Sequence, residues 1–241
     1  MPRFYCAQAL QTHTSINLPE QIAHHLHVLR MAPGQRITLF DGQGHEFDAM
    51  LTSLDKKSAS AEITEQRMRH TELPYRLTLA QALPEGSKMD WIIEKAIELG
   101  ASAIQPLAAQ RSVVKLSPER AAKRLQHWQG VIVAASEQSG RTRIADLNEV
   151  TDLVRWSSQP QPAQRLLLTP RSDHSLAAWA LSEPARDITL VIGPEGGFNE
   201  QEEKLLISQG VLPVSMGPRI LRTETAGLAA MAIINAAWGQ M

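Results

Sequence analysis

Two stretches decide how this chain reads: Ile192-Gly193-Pro194-Glu195-Gly196-Gly197-Phe198 and Met216-Gly217-Pro218-Arg219-Ile220-Leu221-Arg222-Thr223-Glu224-Thr225-Ala226. Each follows a short apolar run that reads as a strand, and each leads into a helical pattern. Paired strand-loop-helix junctions of this kind are where α/β proteins bind cofactors. Gly193, Gly196 and Gly197 leave the first strand end with little side-chain cover, so backbone groups there can approach a ligand closely. Asn199 with Glu202 three positions on makes a reciprocal N-cap pair for the next helix. The spacing is neither G-x-G-x-x-G nor G-x-x-x-x-G-K-[ST], so dinucleotide and P-loop binding are not supported. On glycine count alone, a tight turn with no ligand carries equal weight.

The second stretch moves that balance. Gly217-Pro218-Arg219 breaks the strand, and Thr223-Glu224-Thr225-Ala226 opens a helix of small residues flanked by Arg222 and Glu224. A helix N-terminus offers free N–H groups to a carboxylate, and an arginine beside it suits an anionic substrate or a developing oxyanion. The alternative for Arg222 is an ion pair with Glu195 or Glu224.

Working outward, the chain from Tyr75 to its end alternates strand and helix. Leu77-Thr78-Leu79-Ala80, Ala103-Ile104-Gln105-Pro106-Leu107, Leu166-Leu167-Leu168-Thr169, Ile188-Thr189-Leu190-Val191-Ile192 and Leu212-Pro213-Val214-Ser215-Met216 read as strands. Met89, Ile92, Ile93, Ala96 and Ile97 have helical spacing closed by Gly100, and Ser117-Pro118 starts a long helix. This predicts an α/β domain over residues 75–241 with a parallel sheet covered by helices. Residues 1–72 read differently. Arg36-Ile37-Thr38-Leu39-Phe40 and Glu46-Phe47-Asp48-Ala49-Met50-Leu51 alternate about the turn Asp41-Gly42-Gln43-Gly44, with one short helix near 19–29. A small barrel or sandwich is expected there, bounded by His70-Thr71-Glu72-Leu73-Pro74.

The 241 residues carry a net charge of −1, so the whole molecule is not an obvious polyanion binder. The stretch 105–145 is locally basic, with Arg111, Lys115, Arg120, Lys123, Arg124, Arg141 and Arg143 against Glu119 and Glu137. That excess suits phosphates, or equally a solvated face balanced by acids elsewhere. The single cysteine, Cys6, excludes an internal disulfide and fits a reducing compartment. No apolar run reaches the roughly 20 residues of a membrane span, and Met1-Pro2-Arg3-Phe4-Tyr5 lacks a signal-peptide core, so a cytoplasmic protein is expected. Six of the eight histidines precede residue 71, but their spacing lacks the Cys or acid partners of a metal site, and no metal is expected.

The two loops resemble the signature loops of the SPOUT methyltransferases, and within that superfamily the RsmE family of 16S ribosomal RNA uridine-N3 methyltransferases. Leu29-Arg30-Met31 with Gly34, Glu94-Lys95-Ala96-Ile97-Glu98-Leu99-Gly100 and Glu137-Gln138-Ser139-Gly140-Arg141 agree with it, so the resemblance spans nearly the whole chain. It implies a trefoil-knotted α/β domain, an N-terminal PUA-like β-barrel that binds RNA, and a homodimer. The small-residue helix from Gly227 to Ala237 suits such an interface, or simply packs on its own sheet.

By the same resemblance, S-adenosylmethionine is the cofactor and the small ribosomal subunit, through its 16S RNA, is the partner. The implied cofactor wall is Leu168, Thr169, Pro170, then Ile192, Gly193, Pro194, Glu195, Gly196 and Gly197, then Met216, Gly217, Ile220, Leu221, Arg222, Thr223 and Ala226. Arg222 and then Arg141 are candidates to stabilise the uridine anion, with Glu224 or Glu137 to take its proton or instead to orient an arginine. Arg3, Arg30, Arg36, Lys95, Arg111, Lys115, Arg141 and Arg143 are candidate RNA contacts, Arg30 foremost. Gln110 stands before Arg111 where the family often carries glutamate, which leaves open what orients that arginine. Another RNA methyltransferase of the superfamily, acting on a ribose 2′-hydroxyl or a different base, and a non-catalytic RNA-binding or ribosome-assembly module are the alternatives.

Overall fold

The computed structural model describes residues 1–114, 116–160 and 162–241. The chain forms two compact units. One comprises Met1–Glu72 with Ser136–Ile144, the other Leu73–Ala135 with Ala145–Met241.

The first unit holds β1 (Arg3–Tyr5), β2 (Ser15–Leu18), α1 (Glu20–Val28), β3 (Arg36–Phe40), β4 (His45–Leu54) and β5 (Ala59–Met68). Its sheet runs β1-β3-β4-β5-β2, antiparallel except for the β1–β3 pair. The turn Asp41-Gly42-Gln43-Gly44 joins β3 to β4, and Asp41 Oδ1 accepts the N–H groups of Gln43 and His45. Two register shifts in the β4–β5 pair bend the longest strands. Inside the bend, Ile22, Ala23 and Leu26 of α1 pack with Phe4, Ile37, Leu39 and Leu51. β1 and β2 fall outside the elements that the periodicity picks out, because strands of three and four residues carry too little alternation.

The second unit holds β6 (Leu77–Ala82), α2 (Lys88–Glu98), β7 (Ala103–Ala108), α3 (Pro118–Ser139), β8 (Asp146–Leu147), β9 (Thr151–Asp152), α4 (Leu153–Ser157), β10 (Gln164–Leu168), α5 (Leu176–Ser182), β11 (Ile188–Ile192), α6 (Glu200–Ser208), β12 (Leu212–Val214) and α7 (Thr223–Ala237), the last turn of α3 being counted with the first unit. Its sheet runs β12-β10-β11-β6-β7-β8, with β9 also on β7, and every ladder is parallel. All five residues of β11 are buried, as expected of a central parallel strand covered on both faces. The small-residue helix α7 packs on its own sheet. A Cβ at Gly227 would stand 3.2 Å from Leu79 of β6 and 3.4 Å from Ile192 of β11, so only glycine fits without displacing a neighbour.

Strand order places the site. β10 lies between β11 and β12, with Leu167 beside Val191 and Leu168 beside Val214. Three loops therefore leave the same edge of the sheet, at the carboxyl ends of β10, β11 and β12, although they are far apart in sequence. That edge is where open α/β sheets bind ligands.

Candidate active site

The three loops enclose a cleft of about 560 Å³, within the range of small-molecule sites. All of the residues expected to form the cofactor wall line it, from Leu168-Thr169-Pro170 through Ile192–Gly197 to Met216, Gly217, Ile220–Thr223 and Ala226. Arg171, Phe198, Glu203, Ser215 and Arg219 line it as well.

Much of this wall is main chain, and glycine makes it so. A Cβ at Gly193 would stand 3.1 Å from both Gly197 Cα and Phe198 N, so the loop folds back on itself only because that atom is missing. Gly197 has φ +63°, a conformation that glycine adopts at no steric cost. A turn bond from Gly197 N–H to the Pro194 carbonyl closes the loop, and α6 starts beyond it under a full capping box between Asn199 and Glu202.

A buried hydrogen-bond chain ties this loop to the next. Thr223, the first residue of α7, donates its hydroxyl to the Gly193 carbonyl at 2.6 Å. It accepts from the side-chain amide of Gln81 on β6 at 2.9 Å. Gln81 carries no local sequence signal, because its partner lies 142 positions away. Arg171 is another residue that sequence reasoning missed. It pairs with Glu203 at 2.7 Å and donates to the Phe198 carbonyl at 3.2 Å, joining the loop after β10 to the loop after β11.

Arg222 is exposed, and its side chain makes no ion pair or hydrogen bond among the described residues, so the ion pair with Glu195 or Glu224 does not form. Arg219 and Ile220 beside it are exposed too, Ile220 to 86%. Glu224 lies in the first turn of α7, and its Oε2 is buried with no hydrogen-bond partner. The arginine and the carboxylate thus offer a free donor set and an unsatisfied acceptor from one helix start.

The other two catalytic candidates, Arg141 and Glu137, belong to the first unit and are not among the residues that line the cleft. Arg141 is 3% exposed, and its guanidinium grips Glu72 at 2.5 Å. Glu137 accepts the N–H of Tyr5 at 2.9 Å, and burial raises its carboxyl above the ordinary value against that bond. Both side chains are engaged in holding that unit together. Arg141 is likewise no open RNA contact.

The remaining RNA candidates divide by how their charge is used. Arg3 pairs with Glu46 at 2.7 Å and lies 4.9 Å from the Phe40 ring centre, so it is a packing residue. Lys95 shares its ammonium between Glu94 and Glu98, both at 2.8 Å, which leaves little charge for a phosphate. Arg111 donates to the Gly196 carbonyl at 2.9 Å and so braces the cleft loop. Gln110 does not orient it; its side chain accepts from Asn199 and its backbone N–H bonds Glu202, both at the start of α6. Arg30, Arg36 and Arg143 are exposed. Arg30 has φ +54° where α1 ends, a position that favours glycine. Lys115 lies outside the described residues. Among the described residues no cluster of His, Cys, Asp and Glu could hold a metal ion, and no helix is long and apolar enough to cross a membrane.

Residues 71–235 match the family model described as RNA methyltransferase domain, and residues 18–64 match RNA methyltransferase PUA domain. The ribosomal RNA small subunit methyltransferase E of Bacillus subtilis is 34% identical over 90% of this chain and 87% of its own. The chain belongs to the ribosomal RNA small subunit methyltransferase E family. Solved structures of similar proteins carry the same architecture. The methyltransferase E of Neisseria gonorrhoeae, bound to S-adenosyl methionine, superposes with TM-score 0.92 at 39% identity, covering 99% of this chain and 98% of its own. The putative methyltransferase Lpg2936 of Legionella pneumophila, in complex with the cofactor SAM, does so with TM-score 0.92 at 35% identity, covering 98% and 97%.

Proposed function

We propose that this protein transfers a methyl group from S-adenosylmethionine to N3 of a uridine in 16S ribosomal RNA, in the decoding region near the 3′ end. The observation that carries the reading is the main-chain cleft with a free Arg222 on its wall. Membership of the methyltransferase E family and the cofactor named for its solved relatives support it. The cleft suits that cofactor. Its glycines bring N–H and C=O groups close to an adenosine, and the orphaned carboxylate oxygen of Glu195 on the cleft wall suits a group with positive charge and donors.

When bound, the cofactor supplies a methyl group on a sulfonium sulfur. The chain has to orient the acceptor and remove its proton. Uridine N3 is a poor nucleophile until that proton leaves, and the charge then spreads over O2 and O4. Arg222 places a guanidinium where it neutralises that charge. Glu224, at the same helix start, would take the N3 proton, and the bound cofactor would supply its methyl group to the freed N3 pair. Arg30, Arg36 and Arg143 hold RNA phosphates. In this reading residues 1–72 form the PUA-like RNA-binding domain and 75–241 the knotted methyltransferase domain, and the protein works as a cytoplasmic homodimer.

The test is mass spectrometry of 16S RNA from a strain lacking the gene, before and after incubation of its small subunits with the protein and S-adenosylmethionine. One new N3-methyluridine is expected. A methyl group on a ribose instead favours the other RNA methyltransferases of the superfamily, and no cofactor binding in calorimetry favours a non-catalytic module. Arg222→Ala is expected to abolish methylation with cofactor binding still measurable; full activity in that variant removes Arg222 from the mechanism.

A further inference from the structure

Lys88 stands at the first residue of α2, outside every motif described above. Its Nζ donates to Glu195 Oε1 at 2.6 Å, and the same oxygen accepts the N–H of Glu85 at 3.0 Å. Glu195 is the apex of the cleft loop between two glycine positions, and both ends of its carboxylate are covered. Oε1 carries these two bonds, while Oε2 is buried without a hydrogen-bond partner. The Lys88 side chain is 34% exposed and that of Glu195 is 20% exposed. At other points of the loop, Arg111 holds the Gly196 carbonyl and Thr223 holds that of Gly193. The loop is therefore clamped at three successive points, and Lys88 supplies the only side-chain clamp at its apex among the described residues.

We infer that Lys88 is a positioning residue for methyl transfer: it fixes the wall of the cofactor cleft by holding the Glu195 carboxylate in place. The inference rests on the reading of the cleft as the cofactor site. Glu195 is the weak point of the loop without it. Burial opposes the charge of this carboxyl, and the hydrogen bond from Lys88, with the N–H bonds, more than reverses that and holds it below the ordinary value. The ammonium of Lys88 is in turn held above its ordinary value, by Glu195 first and by the charges of Glu224 and Glu85 after it. Around Glu195 the charged groups are thus Lys88 at the start of α2, Glu85 in the loop before it, Glu224 from α7 and Arg111 beside Gly196. Lys88 is the cation that bonds the Glu195 carboxylate directly, while Arg111 gives its guanidinium to the Gly196 carbonyl. Removing Lys88 leaves a half-buried carboxylate with like charges nearby, which either swings toward water and takes the loop with it or picks up a proton.

Calorimetry with S-adenosylhomocysteine and steady-state methylation test this. Lys88→Met is expected to weaken S-adenosylhomocysteine binding and raise KM for S-adenosylmethionine by about tenfold, with kcat changed far less. Lys88→Arg keeps both near wild type. Glu195→Gln loses a similar factor, and the double variant loses no more than either single one, since the two act as one unit. Between pH 7 and 5 the wild-type affinity stays flat, because Glu195 remains ionised; in Lys88→Met it falls with pH as that carboxyl takes up a proton. Wild-type affinity in Lys88→Met, or losses that add in the double variant, overturn the inference. Should Lys88→Met fail to fold, Lys88→Arg and Glu195→Gln decide it through the same constants. Failure of the wild-type protein to bind S-adenosylhomocysteine overturns the cofactor site itself, a different result from normal binding by both proteins.

Discussion

Thr223→Val isolates the hydrogen-bond chain that joins the two cleft loops. Valine replaces a buried hydroxyl with a methyl group of similar size, so the packing is kept and the polar link is lost. Two bonds disappear, Thr223 to the Gly193 carbonyl and Gln81 to Thr223. Gln81 keeps its bond to the Ala82 carbonyl at 2.9 Å, so its amide is not stranded entirely. The Gly193 carbonyl loses a side-chain partner at the cleft wall, where water regains it in part. Each buried group left unsatisfied costs about 1 to 3 kcal/mol. With both partly compensated, the total is about 2 kcal/mol. At about 2 to 4 °C per kcal/mol for a unit of this size, the unfolding midpoint falls by about 4 to 8 °C. Differential scanning calorimetry measures that. Titration with S-adenosylhomocysteine then reads how much of the loss reaches the cleft, and a weakening of about fivefold or more is expected. Thr223→Ser restores the hydroxyl and both properties. A Thr223→Val protein that melts and binds like wild type would show that the chain does not hold the loops, and the account of the cleft wall would fail.

Three further outcomes follow from the geometry. Gly193→Ala forces a Cβ to within 3.1 Å of backbone atoms that cannot turn aside, so it costs about 1 to 3 kcal/mol and weakens S-adenosylhomocysteine binding in calorimetry, whereas Gly210→Ala, with open space around it, loses stability through its φ of +77° but keeps affinity. Arg30→Gly relieves left-handed backbone at φ +54° and leaves the first unit at least as stable, while the slope of log Kd against log salt for 16S RNA falls by about 1. Tyr75 is 6% exposed, bonds Asn235 Oδ1, and burial raises its hydroxyl to about 12 from 10.0. A folded-state value above the unfolded one stabilises below pH 10, and about 2 to 3 kcal/mol is lost as pH rises through 10 to 12; denaturant titrations should show that loss in the wild type and not in Tyr75→Phe.

What the sequence could determine was whatever depends on neighbours along the chain. The parallel-sheet strands announced themselves as short apolar runs, and the Asn199–Glu202 cap as a pair three residues apart, because period and capping are local. The glycine loops were legible for the same reason: missing side chains next to a strand end mean exposed backbone wherever the fold places them. Charge was legible only as a count. Arg141 and Arg222 look alike in sequence, yet one is buried against Glu72, 69 positions away, and the other lies open on the cleft wall. Tertiary structure alone decided this, since an arginine's role depends on which carboxylate the fold brings within about 4 Å. The same holds for Gln81, Arg171 and Lys88, whose partners lie 142, 32 and 107 positions away. Local sequence wrote the walls of the cleft; the long-range pairings that hold those walls in place arise from the order in which the sheet sets β10 between β11 and β12 and β6 beside β11.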